Sequence, residues 1–214
     1  MCEGINKLEY LEKKINSYSL IERLPVKILF ASDNTLRKLK DNHELINDNN
    51  LFIDNDITML GLDKIGNKKG CATVDGLEVS KSKGVLLIEA KDITNALLER
   101  LDAIINNSEE ELYVEGIVDN RIKEVEKKLN GSVNLLNRLL RPTNKILSNN
   151  DDIYVALFID YKLTDVDEFG LTGDIGLLRQ EIDEYSEIIT ETMIFTNKKL
   201  REMESLIREY SILL

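Results

Sequence analysis

Apolar residues recur every three or four positions near the start of the chain, at Ile5, Leu8, Leu11, Ile15 and Tyr18. That period predicts an amphipathic helix over residues 5–23, closed by Pro25. Residues 26–30 form a short strand candidate. Asp33 or Asn34 can cap a second helix running to about Leu45. The run at 47–50, Asn-Asp-Asn-Asn, is a loop by composition.

The pattern then changes period. Residues 51–62, 71–79 and 85–90 are short, β-branched and apolar, and polar turns at 66–70 and 80–84 separate them. The run 85–90, Val-Leu-Leu-Ile-Glu-Ala, is nearly continuous in apolar residues, as a strand buried on both faces is. Helical spacing returns over 93–105 and over 118–147, with Gly131 or Pro142 as possible breaks. Residues 152–161 read as a further strand and 165–174 as a loop. From residue 175 to the end, Leu177, Leu178, Ile182, Tyr185, Ile188, Ile189, Met193, Leu200, Met203, Leu206, Ile207 and Tyr210 lie near helical spacing. They predict one long helix or two.

The expected class is therefore α/β: a small mixed central sheet flanked by helices, with a helical C-terminal extension. A core over 1–163 and an acidic helical segment over 164–214, packed on the core or on a partner, is the expected division. A chain of 214 residues, 43% hydrophobic, can bury a substantial core.

Charge sharpens this division. The net charge is −11, but residues 1–150 carry 22 Lys and Arg against 24 Asp and Glu, a net of −2, and residues 151–214 carry 6 against 15, a net of −9. The first part can present a locally positive face, whereas the last part repels a phosphate backbone. The first residues run into a charged helical pattern without an apolar leader. The longest uncharged apolar run, at 155–159, is far below the ~20 residues of a membrane span. Cys2 and Cys71 are too far apart for a CxxC pair and read as thiols of a reducing, cytoplasmic compartment. His43 is the single histidine, which argues against histidine-based catalysis.

Candidate chemistry lies in the centre. Asp75 is on the run before the 80–84 turn, and Glu89-Ala90-Lys91 ends the run after it. Glu89 and Lys91, two apart on a strand, share a face. A hairpin through 80–84 sets Asp75 beside them. Two carboxylates suit magnesium, which takes oxygen ligands and retains waters. A lysine beside them can orient or deprotonate an attacking water, or stabilise charge on phosphorus. The alternative is structural: Glu89 bridged to Lys91 or Lys83, with Asp75 a turn former beside Gly76. Four (D/E)xK patterns occur, at Glu12/Lys14, Glu89/Lys91, Glu126/Lys128 and Asp160/Lys162. The first and third fall in helical contexts. Asp160/Lys162 ends a strand, but Asp151 and Asp152 lie too near to come from a separate paired strand.

The segments 74–77 (Val-Asp-Gly-Leu) and 85–91 (Val-Leu-Leu-Ile-Glu-Ala-Lys) resemble the PD-(D/E)xK, restriction-endonuclease-like nuclease superfamily, which includes junction resolvases and many small defence and toxin nucleases. By element order the resemblance spans roughly residues 50–160, and by motif about twenty residues. It implies Asp75 and Glu89 as ligands of Mg2+ or Mn2+, the Ala90 carbonyl as a further ligand, and Lys91 as the catalytic lysine. It also implies small and basic residues on the following helix, for which Lys127, Lys128 and Ser132 stand as candidates, and an upstream helical glutamate, for which Glu22 and Glu44 both qualify. Val74 stands where the family often has proline. The implied activity is a metal-dependent endonuclease, a phosphodiester hydrolase, acting on DNA, with RNA open. The second reading is a non-catalytic inhibitor, immunity or adaptor subunit of nuclease-like fold. It would bind a basic protein partner through its acidic C-terminal helices. Separately from either reading, those helices are candidates for pairing with a second copy of the chain.

Overall fold

The computed structural model describes residues 6–17, 23–25, 58–62, 70–92, 111–160, 180, 188–196 and 200–210. The expected strand at 26–30, the helices at 34–45 and 93–105, and the loops at 47–50 and 165–174 lie outside these residues.

The first helix, α1 (Lys7–Ser17), starts at Asn6, whose Oδ1 accepts the Leu8 N–H at 2.9 Å. A side-chain acceptor there satisfies one of the unbonded donors of the first turn. Leu11 and Ile15, one turn apart, are its buried residues. The helix was expected to run to residue 23 with Pro25 as its terminator, but residue 23 already opens strand β1 (Arg23–Pro25), of which Pro25 is the last residue. Proline is tolerated at such a sheet edge because no interior ladder bond is lost.

Five further strands follow: β2 (Thr58–Gly61), β3 (Gly76–Ser80), β4 (Gly84–Asp92), β5 (Ile153–Asp160) and β6 (Glu191–Thr196). They form one mixed sheet of six strands in the order β1-β2-β3-β4-β5-β6. The first four strands pair antiparallel, and β5 and β6 then run parallel to β4. The helix α2 (Glu111–Leu140) lies in the β4–β5 connection that the parallel pairing requires. It runs through Gly131 without a break. It gives way to a 3-10 turn, Arg141–Thr143, at Pro142, which cannot donate a helical bond. The last helix is α3 (Leu200–Tyr210).

Alternation along β4 sorts the core into two halves. Val85 and Leu87 join Leu11 and Ile15 of α1 and Val125, Leu129 and Leu136 of α2. Leu86, Ile88 and Ala90 join Met203, Ile207 and Tyr210 of α3. Helices thus cover both faces, which is why residues 84–90 are all buried and why that stretch is apolar almost throughout. Each such leucine or isoleucine contributes about 1.5–3 kcal/mol on burial.

Two expectations are corrected. Residues 191–196 are strand β6, not helix. Thr192, Met193, Ile194, Phe195 and Thr196 are mostly β-branched or aromatic, and pairing with β5 outweighs the helical spacing of their apolar neighbours. The C-terminal part therefore supplies a strand of the central sheet, followed by the helix Leu200–Tyr210. The strand expected over 71–79 begins only at Gly76, so Asp75 sits in the bend before it.

No helix among the described residues is long and apolar enough to cross a membrane.

Candidate functional site

The β3–β4 hairpin closes through Lys81–Lys83, with Ser80 opposite Gly84. Gly84 has φ +101°, a backbone state that side chains disfavour, and a Cβ there would stand 2.0 Å from the Asp152 carbonyl oxygen. This turn fixes the register that pairs Gly76 with Ile88. One step further along the same register, Asp75 faces Glu89. Asp75 Oδ2 accepts the Ala90 N–H at 2.9 Å, and its carbonyl accepts the Leu62 N–H at 3.0 Å. The acid is thus held to β4 by its side chain and to the end of β2 by its backbone.

Glu89 is fully buried on the α2 side of β4, following Val85 and Leu87 on that face. A carboxylate in such a place requires a charged partner or a metal. Lys128 supplies one, from the α2 stripe that also presents Val125, Leu129 and Ser132. Its Nζ lies 2.5 Å from Glu89 Oε1 and 3.4 Å from Asp75 Oδ1. One ammonium therefore bridges a carboxylate of β4 and one from the bend that leads into β3. Burial disfavours the charged form of Lys128. The attraction of Glu89, then of Asp75, outweighs it, and the pKa is raised above the ordinary lysine value.

The next turn of α2 holds this arrangement in place. The buried Ser132 Oγ donates to the Lys128 carbonyl at 2.7 Å and accepts the Val74 N–H at 3.0 Å. Beside it, a Cβ on Gly131 would stand 1.7 Å from the Ala72 carbonyl oxygen. The strand-leading segment 72–75 therefore rests on the helix backbone at Gly131, which has no side chain to hold it off. This clamp sets Asp75 within reach of Lys128.

Of the residues singled out in the sequence, Asp75, Glu89 and Ala90 come together. Lys91 continues β4 opposite Ile159, and its side chain lies outside the described residues. Of the three candidates on the following helix, Lys128 and Ser132 reach the site, whereas Lys127 is exposed. The proposed Glu89–Lys83 bridge is not formed: Lys83 Nζ instead pairs with Glu209 Oε2 at 2.8 Å and lies over the Tyr210 ring. Lys81 is exposed at the hairpin tip, and its N–H donates to Glu12 Oε1. Cys71 is a thiol with Arg138 Nη1 3.2 Å from its sulfur. Glu22, His43, Glu44, Cys2, Lys68, Lys69 and Lys162 lie outside the described residues, as does the side chain of Asp160. Gly131 was legible only as a possible helix break. Its role as a contact point carries no local signal.

Among the described residues, no group of three or more His, Cys, Asp and Glu converges. The oxygen donors here are the Asp75 and Glu89 carboxylates and the Ala90 carbonyl. The N–H and C=O of a strand residue leave on the same edge, so the Ala90 carbonyl lies on the edge where its N–H meets Asp75. No protein-family model, curated protein or solved structure matches the chain.

Proposed function

We propose that this protein is a magnesium- or manganese-dependent nuclease, a phosphodiester hydrolase acting on DNA in the cytoplasm. Its sheet would be of the restriction-endonuclease-like kind. The observation that carries this reading is the convergence of Asp75, from the bend before β3, and Glu89, from β4, on one cationic position now held by Lys128. Magnesium is usually held by one or two carboxylates with waters and substrate phosphate filling the remaining positions, so this donor set fits it.

In this reading Asp75 and Glu89 hold the ion, and the Ala90 carbonyl adds a neutral ligand. A bound metal supplies a water of lowered pKa and positive charge against the developing charge on phosphorus. Lys91 orients or deprotonates the attacking water for in-line attack. Ser132 and Gly131 keep Asp75 in register with Glu89. The acidic side chains of residues 151–214, net −9, must face away from the nucleic acid, where they are placed to meet a basic protein; pairing with a second copy of the chain would go through other side chains of the C-terminal helices.

A second reading has its own support. Lys128 with Asp75 and Glu89 is also the arrangement of a structural ion triad. It would suit a non-catalytic inhibitor, immunity or adaptor subunit that binds a basic partner. Supercoiled plasmid and single-stranded RNA, each incubated with the protein and Mg2+ or Mn2+, separate the two. Nicking that stops in EDTA and is absent from Glu89→Ala supports the nuclease. Intact substrates with every metal would leave the structural triad.

A further inference from the structure

We infer that Lys128 is the resident counter-ion of the carboxylate pair, which a divalent cation must displace to bind. This inference rests on the metal-site reading above and adds to it the group that controls occupancy. A magnesium ion bound to a carboxylate sits about 2.0–2.1 Å from its oxygen. The Lys128 ammonium already lies 2.5 Å from Glu89 Oε1 and 3.4 Å from Asp75 Oδ1, in contact with both carboxylates. A cation bridging those oxygens falls on the ammonium or within van der Waals distance of it. Two positive charges at that separation repel strongly in a partly buried setting. The ammonium and the metal therefore exclude one another.

The ammonium can leave without unfolding its helix. Lys128 keeps 28% of its side-chain surface exposed, and its four-carbon stem has several rotatable bonds. Its backbone carbonyl stays fixed by Ser132 while the head group moves. Glu89, with no exposed surface, cannot follow it. The metal-free protein thus carries its own cation, which keeps a buried carboxylate from standing uncompensated. The same cation weakens metal binding.

Two measurements test this. The first is calorimetric titration of Mn2+ into wild type, Lys128→Met and Lys128→Gln; the glutamine variant keeps a polar head should the methionine variant fail to fold. Removing a charged competitor that makes hydrogen bonds to both acids should tighten binding at least about tenfold. Metal should also raise the melting temperature of the variants more than that of wild type. The second uses wild type alone and follows the side-chain ammonium NMR signal of Lys128, held in slow exchange by its carboxylate contacts. That signal should vanish over the concentrations of diamagnetic Mg2+ that saturate the site. If metal binds and the variants bind it no more tightly, or if the ammonium signal survives saturation, displacement is wrong while the metal site stands. If neither wild type nor the variants bind metal, the metal-site reading falls and this inference with it.

Discussion

Replacing Gly131 with alanine gives the most direct test of how the site is built. In an isolated helix the change would stabilise by about 1 kcal/mol. Here the new Cβ would stand 1.7 Å from the Ala72 carbonyl oxygen, and ordinary contact begins at about 3.4 Å, so segment 72–75 must withdraw by about 1.7 Å. That shift breaks the bond from the Val74 N–H to Ser132 Oγ, now 3.0 Å, and leaves a buried donor without its acceptor, at about 1–3 kcal/mol. It also loosens Val74, which is fully buried, at a further 1–2 kcal/mol or so. The helix-propensity gain offsets only part of this. The net expectation is a loss of about 2 kcal/mol, which lowers the melting temperature by roughly 4–8 °C for a chain of this size. Thermal and urea unfolding of Gly131→Ala beside Asn130→Ala, an exposed neighbour on the same helix, measures it. A Gly131→Ala protein as stable as wild type, or more so, would show that segment 72–75 does not rest on the helix as described. Combining it with Ser132→Ala should give less than the sum of the two losses, because both act on the same contact.

Three other outcomes follow from the same contacts. Ser132→Ala should cost about 1–3 kcal/mol in urea unfolding through the stranded Val74 N–H, while Ser132→Thr should retain part of that loss. The pKa of Lys128 is raised in the folded protein, so its stabilisation is fully present below the unfolded value of about 10.4 and is lost as pH rises through the higher folded value. The stability gap between wild type and Lys128→Met should accordingly stay level through neutral and mildly alkaline pH and shrink only above about pH 10.4; a gap that closes near neutrality contradicts the ion pair. Tyr210→Phe removes the hydroxyl that donates to the Lys83 carbonyl at 3.3 Å and should cost about 0.5–1.5 kcal/mol, read as faster proteolytic release of α3.

Much of this was legible in the chain, for definable reasons. The apolar run 85–90, interrupted only by Glu89, can only be satisfied between two covered faces, and β4 is that strand. A turn with glycine at 84 between two apolar runs fixes a register, and the register sets Asp75 across from Glu89. Residues 191–196 were misread because Ile188, Ile189 and Met193 fit helical spacing, while the parallel partner that makes them a strand lies more than thirty residues earlier. The length of a lysine side chain does not show in a periodicity. Lys128 stood out only through the family resemblance, and its bridging of both acids depends on the angle at which α2 crosses β4. Gly131 shows the same limit. A glycine in a helical pattern suggests a break, and only the approach of Ala72 explains it.

The most direct test of the central claim is a calorimetric titration of Mg2+ into wild type and Glu89→Ala. The account predicts a saturable site in wild type that disappears when the Glu89 carboxylate is removed. A wild-type protein with no heat of binding, or a Glu89→Ala protein that binds as wild type does, would contradict it and leave Asp75, Glu89 and Lys128 as a structural ion triad.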